Sequence, residues 1–142
     1  MEGTLTRFVP VVGRILLGQV FFVAGINKLV HPAKTSALIA SHGIPLPGFC
    51  CYAAAALEIG GSLALVLGVR TRSSALVLAG WVVVVTSIFH WDFAKEINAH
   101  LFRNDLAIAG GLLLTAYFGS DRQASSHKMP SASDTGEMES LD

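Results

Sequence analysis

Four side-chain types set into an otherwise apolar chain could do chemistry together: a carboxylate, an imidazole, an ammonium and a carboxamide. Glu58 stands inside the run YAAAALEIGGSLALVLGV, residues 52–69, and is its only charge. A charge at such depth in a bilayer costs at least ~2.5–3.5 kcal/mol on insertion scales. It persists where it faces a bundle interior, pairs with another group, or carries a proton. Helical spacing from Glu58 reaches Gly61, Ser62, Leu65 and Gly68 in one direction and Ala54 and Cys51 in the other. That face is small and polar beside the Leu, Ile and Val around the rest of the helix, and small residues let neighbouring backbones approach in lipid. Glu58 is therefore expected to point inward. His90 closes a later apolar run and shares a helical face with Thr86 and Ser87. Carboxylates and imidazoles exchange protons, whereas ammonium and amide groups donate hydrogen bonds to ligand oxygens. Glu58 and His90 are the expected proton-exchange groups. Lys28, Asn27, Asn104, Arg103 and Trp91 are the expected ligand contacts.

The elements that must position these residues are membrane helices. Of the 142 residues, 52% are hydrophobic and only 14% charged, against about 25% charged in soluble domains. A hydrocarbon core of ~30 Å needs about 20 helical residues. Four stretches meet that length: 8–29, 49–69, 73–90 and 101–118. The first is too long for a signal-peptide core and lacks a small-residue cleavage site before the polar loop, so it reads as a retained helix. Between the first two lies VHPAKTSALIASHGIPLPG, too polar to span, in which Pro32 could open a short interfacial helix and Gly43, Pro45 and Pro47 close it. Residues 120–142 are rich in Ser, Asp and Glu and nearly free of large apolar side chains, the composition of a disordered tail. The expected fold is all-α: a transmembrane four-helix bundle over 1–119, with a short interfacial helix in the first outer loop and a tail.

An even number of crossings puts both termini on one side. That side carries Arg7, Arg70, Arg72, Arg122 and Lys128, and the other carries Lys28, Lys34, Lys95 and Arg103. With Lys28 and Arg103 assigned to bundle contacts, the positive-inside rule places both termini and the tail in the cytoplasm. Balanced charge gives no argument for nucleic-acid binding. Cys50 and Cys51 are adjacent and match no zinc or redox spacing; they stand as redox candidates or as inert small apolar residues. His90, His100 and the cysteines offer no metal set, and neither a haem-ligand pair nor a flavin fingerprint is present.

With this topology the polar helix ends converge at the outer leaflet: Asn27 and Lys28, Cys50 and Cys51, His90, then Arg103 to Asp105. The expected object is a pocket with Glu58 at its floor, suited to a planar, partly polar ligand such as a quinone headgroup. Arg14 has two readings. It either snorkels to the near headgroups or forms a structural ion pair with Glu58, which lies about 8 Å away in depth by rise per residue. Blander roles remain open for the rim: interfacial anchoring for Lys28 and Arg103, and capping for His90.

One ordered pattern runs through these residues: Gly25-Ile26-Asn27-Lys28-Leu29, Ser41-His42-Gly43-Ile44-Pro45, Leu57-Glu58-Ile59-Gly60-Gly61, Leu67-Gly68-Val69-Arg70-Thr71-Arg72, His90-Trp91-Asp92, then Phe102-Arg103-Asn104 with Ala109-Gly110-Gly111. In this order and spacing the chain resembles the DoxX family, which is related to the small subunit of thiosulfate:quinone oxidoreductase. The resemblance covers roughly Val11 to Gly119. It implies a four-helix inner-membrane bundle linked to quinone-coupled or redox-homeostasis chemistry, with Lys28, Glu58, His90 and Asn104 at the family's polar positions. The chain departs in having Arg103 where lysine is frequent, and in its vicinal cysteines. The expected function is a quinone-interacting subunit or accessory of a membrane oxidoreductase system, with electrons supplied by a membrane or periplasmic partner protein and homo-oligomerisation left open. The alternative is a non-catalytic membrane scaffold or assembly factor, in which Arg14, Glu58 and Asn104 only hold helices together.

Overall fold

A computed structural model describes residues 2–90 and 96–119, all of them in or between five helices. These are α1 (Glu2–Val30), α2 (Pro32–Ser41), α3 (Pro47–Leu67), α4 (Thr71–Phe89) and α5 (Glu96–Gly119). Pro32 and Pro47 open α2 and α3 from their first turns, where the missing N–H costs no helical hydrogen bond. α3 stops at Leu67 because Gly68 adopts a left-handed φ of 74°. The Gly68 and Val69 N–H groups then donate to the carbonyls of Leu65 and Ala64, which closes the helix end. Arg70, also left-handed at φ 46°, leads directly into α4.

Among the described residues, three helical segments are long and apolar enough to cross a membrane: Phe8–Val30, Pro47–Leu67 and Thr71–Phe89. The expectation of four is met for these three. α5 has the length, but Arg103, Asn104 and Asp105 dilute its apolar stretch, and it is not among them. The short helix foreseen after the first span is α2. The tail, residues 120–142, lies outside the described residues.

α1 packs along α3 and α4 along α5; α3 also meets α4, and α1 meets α5. The first pairing depends on absent side chains. A Cβ added at Gly25 would fall 2.6 Å from Ile59 Cγ1 and 3.1 Å from the Ala55 carbonyl oxygen. The core joins Phe21 of α1, Leu65 of α3, Leu78 and Val82 of α4, and Leu112 of α5. α2 crosses the α3 N-terminus, burying Ile39 and resting His42 edge-on against Phe89 with ring centres 4.6 Å apart. Outside this core the surface is apolar: Val23, Val77, Leu113 and Tyr117 are each more than half exposed. Water would disfavour such a coat, which lipid tails solvate.

Candidate functional site

Gly25 sets the site. Because it lets α1 lie against Ala55 and Ile59, Lys28, nearly one turn further along, comes level with Glu58 on α3. The Lys28 ammonium donates to both Glu58 oxygens, at 2.8 Å to Oε1 and 2.7 Å to Oε2. From α4, the Trp81 indole N–H donates to Oε1 at 3.0 Å. Glu58 is 4% exposed, so these donors replace the water that a carboxylate would otherwise need.

A second carboxylate stands across from this pair. Asp105 Oδ2 on α5 accepts the Thr86 hydroxyl at 2.7 Å and lies 3.0 Å from His90 Nδ1. Thr86 lies in the last turn of α4 and His90, four residues on, is its C-cap, so one side of the helix end presents both to the same oxygen. An ionised carboxylate only accepts hydrogen bonds, so Nδ1 carries the hydrogen. In the neutral ring this leaves the Nε2 lone pair as the proton-accepting atom.

Both clusters line one cavity of about 160 Å³, walled by Phe21, Trp81, Val82 and Ile108 and bordered by Lys28, Glu58, His90 and Asp105. An apolar cavity of about this size accommodates a single benzene ring. Beneath α2 lies an apolar chamber of about 310 Å³, lined among others by Ile39, Ile44 and Ile88. The two spaces share Lys28, Trp81, Val85 and His90. The arrangement can hold a flat ring against fixed donors, take or give a proton at His90 Nε2, and keep an aliphatic substituent out of water.

Of the residues expected at the site, Lys28, Glu58 and His90 meet here. Asn27 faces outward from α1 and approaches His31 at 3.1 Å. Arg103 is exposed and returns its Nε–H to the Ala99 carbonyl at 3.2 Å. Asn104 is exposed on α5 and borders neither space. Trp91 lies outside the described residues. Cys50 and Cys51 are both free thiols; Cys51 is buried against the Lys28 carbonyl at 3.8 Å, and Cys50 sits at the edge of the apolar chamber.

The Arg14–Glu58 ion pair does not form. Lys28 takes Glu58, and Arg14 Nη1 reaches the α3–α4 turn instead, where a Cβ on Gly68 would lie 2.9 Å from it. Gly68 is ten residues beyond Glu58, about 15 Å of helix rise, too far for one side chain to serve both. Trp81, Thr86 and Asp105 complete the site without having been singled out for it. An indole N–H inside an apolar span needs an acceptor, and two donors on one face of α4 call for another; those were the available signals.

Helices of spanning length, an apolar coat and a largely apolar cavity bordered by charged groups define a membrane protein with a ligand-sized site. The DoxX family model matches residues 9–91, and the chain belongs to that family. The match covers α1 to α4 and ends before Asp105. The chain is similar to inner membrane protein YqjF of Escherichia coli (strain K12), 38% identical over 108 residues that cover 76% of this chain and 82% of that protein. It is also similar to inner membrane protein YphA of the same organism, 28% identical over 122 residues covering 82% and 87% of the two chains. No solved structure matches it.

Proposed function

We propose that this inner-membrane protein binds a quinone headgroup in the cavity between Glu58 and Asp105 and exchanges protons with it as a subunit of a membrane oxidoreductase or redox-homeostasis system. The observation that carries this reading is a ring-sized space bordered at once by a fixed cation and by a carboxylate-held imidazole. An ammonium has three N–H groups. Two of those on Lys28 serve Glu58, and the third is available to a quinone oxygen. His90 Nε2 accepts a proton from a quinol hydroxyl, or in its protonated form returns one to the quinone, while Asp105 steadies the resulting imidazolium. Glu58 holds Lys28 in place and is the second candidate for proton exchange. The aliphatic substituent fits the chamber under α2. Conversion of a quinone to a quinol takes two electrons and two protons, and the electrons come from a partner protein or a soluble reductant.

In this reading α5 is a fourth crossing. Its 24 residues reach about 36 Å at 1.5 Å each, and both termini then face the cytoplasm. The names of the two relatives support the inner membrane. The test is saturable quinone binding to the full chain in nanodiscs. His90→Ala and Glu58→Gln are each expected to weaken it at least tenfold while the protein stays folded. Binding that is absent from folded protein, or indifferent to both substitutions, would leave a membrane scaffold as the better reading.

A further inference from the structure

Between Phe8 and Val30, α1 carries two cations, Lys28 and Arg14. Lys28 is neutralised by Glu58; Arg14 is not neutralised by anything described. It has no hydrogen bond or ion pair among the described residues. The carboxylates whose side chains are described, Glu58 and Asp105, both belong to the other cavity. A guanidinium cannot shed its charge by losing a proton. Nor is Arg14 needed to finish α3, because the Gly68 and Val69 N–H groups already satisfy the carbonyls of Leu65 and Ala64.

Arg14 instead borders a cleft of about 540 Å³ between the first half of α1 and the second half of α5. Val9, Leu17, Leu114 and Phe118 form its walls, and among the described residues Arg14 is its one charged lining residue. The helices touch at the far limit of the cleft, where a Cβ on Gly111 would stand 3.4 Å from Leu17. Arg70 and Arg72 follow Gly68 and are exposed. An apolar slot with a guanidinium that is unpaired among the described residues, beside a basic turn, is complementary to a molecule that is an anion at one end and aliphatic at the other.

We propose that this cleft binds one anionic phospholipid of the surrounding bilayer, with its phosphate on Arg14 and an acyl chain between α1 and α5. Guanidinium groups bind phosphate through paired N–H donors, and basic pockets between membrane helices bind anionic headgroups. The site is separate from the Glu58 cavity and does not depend on what that cavity binds.

The experiment is native mass spectrometry of the full chain, delipidated in detergent and titrated with phosphatidylglycerol or phosphatidylcholine. One phosphatidylglycerol per chain is expected, held at least tenfold more tightly than phosphatidylcholine. Arg14→Gln should remove that preference. Gly13→Leu should abolish retention with Arg14 intact: Gly13 lines the cleft, and a Cβ there meets nothing within 4 Å, so the helix tolerates the change while the slot fills. Equal binding of the two lipids, or a preference that survives both substitutions, would overturn the proposal. So would displacement of the lipid by millimolar inorganic phosphate, which would assign a soluble anion, or a lipid-free dimer, which would assign a second copy.

Discussion

Lys28 and Arg14 stand on the same helix, fourteen residues and about 21 Å apart at 1.5 Å per residue, and meet opposite fates. Lys28 arrives where Gly25 has brought α1 against α3, and a carboxylate and an indole are waiting. Arg14 arrives where α1 and α5 diverge, and the described groups around it are apolar side chains, a glycine turn and Thr115, whose hydroxyl donates to the Gly111 carbonyl. A cation inside an apolar span thus carries no fixed meaning. Helix separation decides whether it meets a protein partner or faces the bilayer.

The sharpest way to break this contrast is to empty each position in turn. Lys28→Met leaves the Glu58 carboxylate, whose side chain is 5% exposed, without its cation. The expected loss is about 3 kcal/mol, read by unfolding in mild detergent, and adding Glu58→Gln should restore much of it. Wild-type stability in the single variant would show that the pair is not what holds α1 to α3. Next in size is Gly25→Ala. Its Cβ must displace Ile59 and the α3 backbone near Ala55, at a cost of about 2 kcal/mol, whereas Gly13→Leu at the other end should leave the melting temperature unchanged. Trp81→Phe removes one donor from a buried carboxylate and should cost about 1.5 kcal/mol. Arg14→Gln closes the series with a change within about 0.5 kcal/mol in detergent. A large loss there would mean that Arg14 holds helices together after all.

Much of this was legible in the residues. The apolar runs gave the helices and Pro32 marked α2, because a proline acts through local backbone geometry that needs no neighbours; the second span was read through to residue 69, and the left-handed Gly68 ends it at Leu67. The inward Glu58 was legible from the cost of burying a charge. Its partner was not. Reading Arg14 as a candidate partner took depth from residue counts along separate helices, and Lys28 was read only as a ligand contact or anchor, whereas the alignment depends on how closely α1 approaches α3 at Gly25. Asp105 was placed among the converging helix ends but given no role in the site, for a similar reason. At the head of an apolar run it reads as an interfacial charge, and only the packing of α4 on α5 turns it toward Thr86 and His90. Asn104 and Arg103 looked equally suitable by composition and lie on the exposed face of the same helix.

The central claim is that a flat, ring-shaped ligand occupies the cavity beside Trp81. The chain has two tryptophans, so a Trp91→Phe background leaves Trp81 as the sole indole, and its fluorescence reports on that cavity alone. Quinone titration of this protein in nanodiscs should quench Trp81 saturably, with the midpoint shifted at least tenfold by His90→Ala. Quenching that rises without saturation, or is unaffected by His90→Ala, would mean that the quinone only partitions into the lipid and that the cavity serves another purpose.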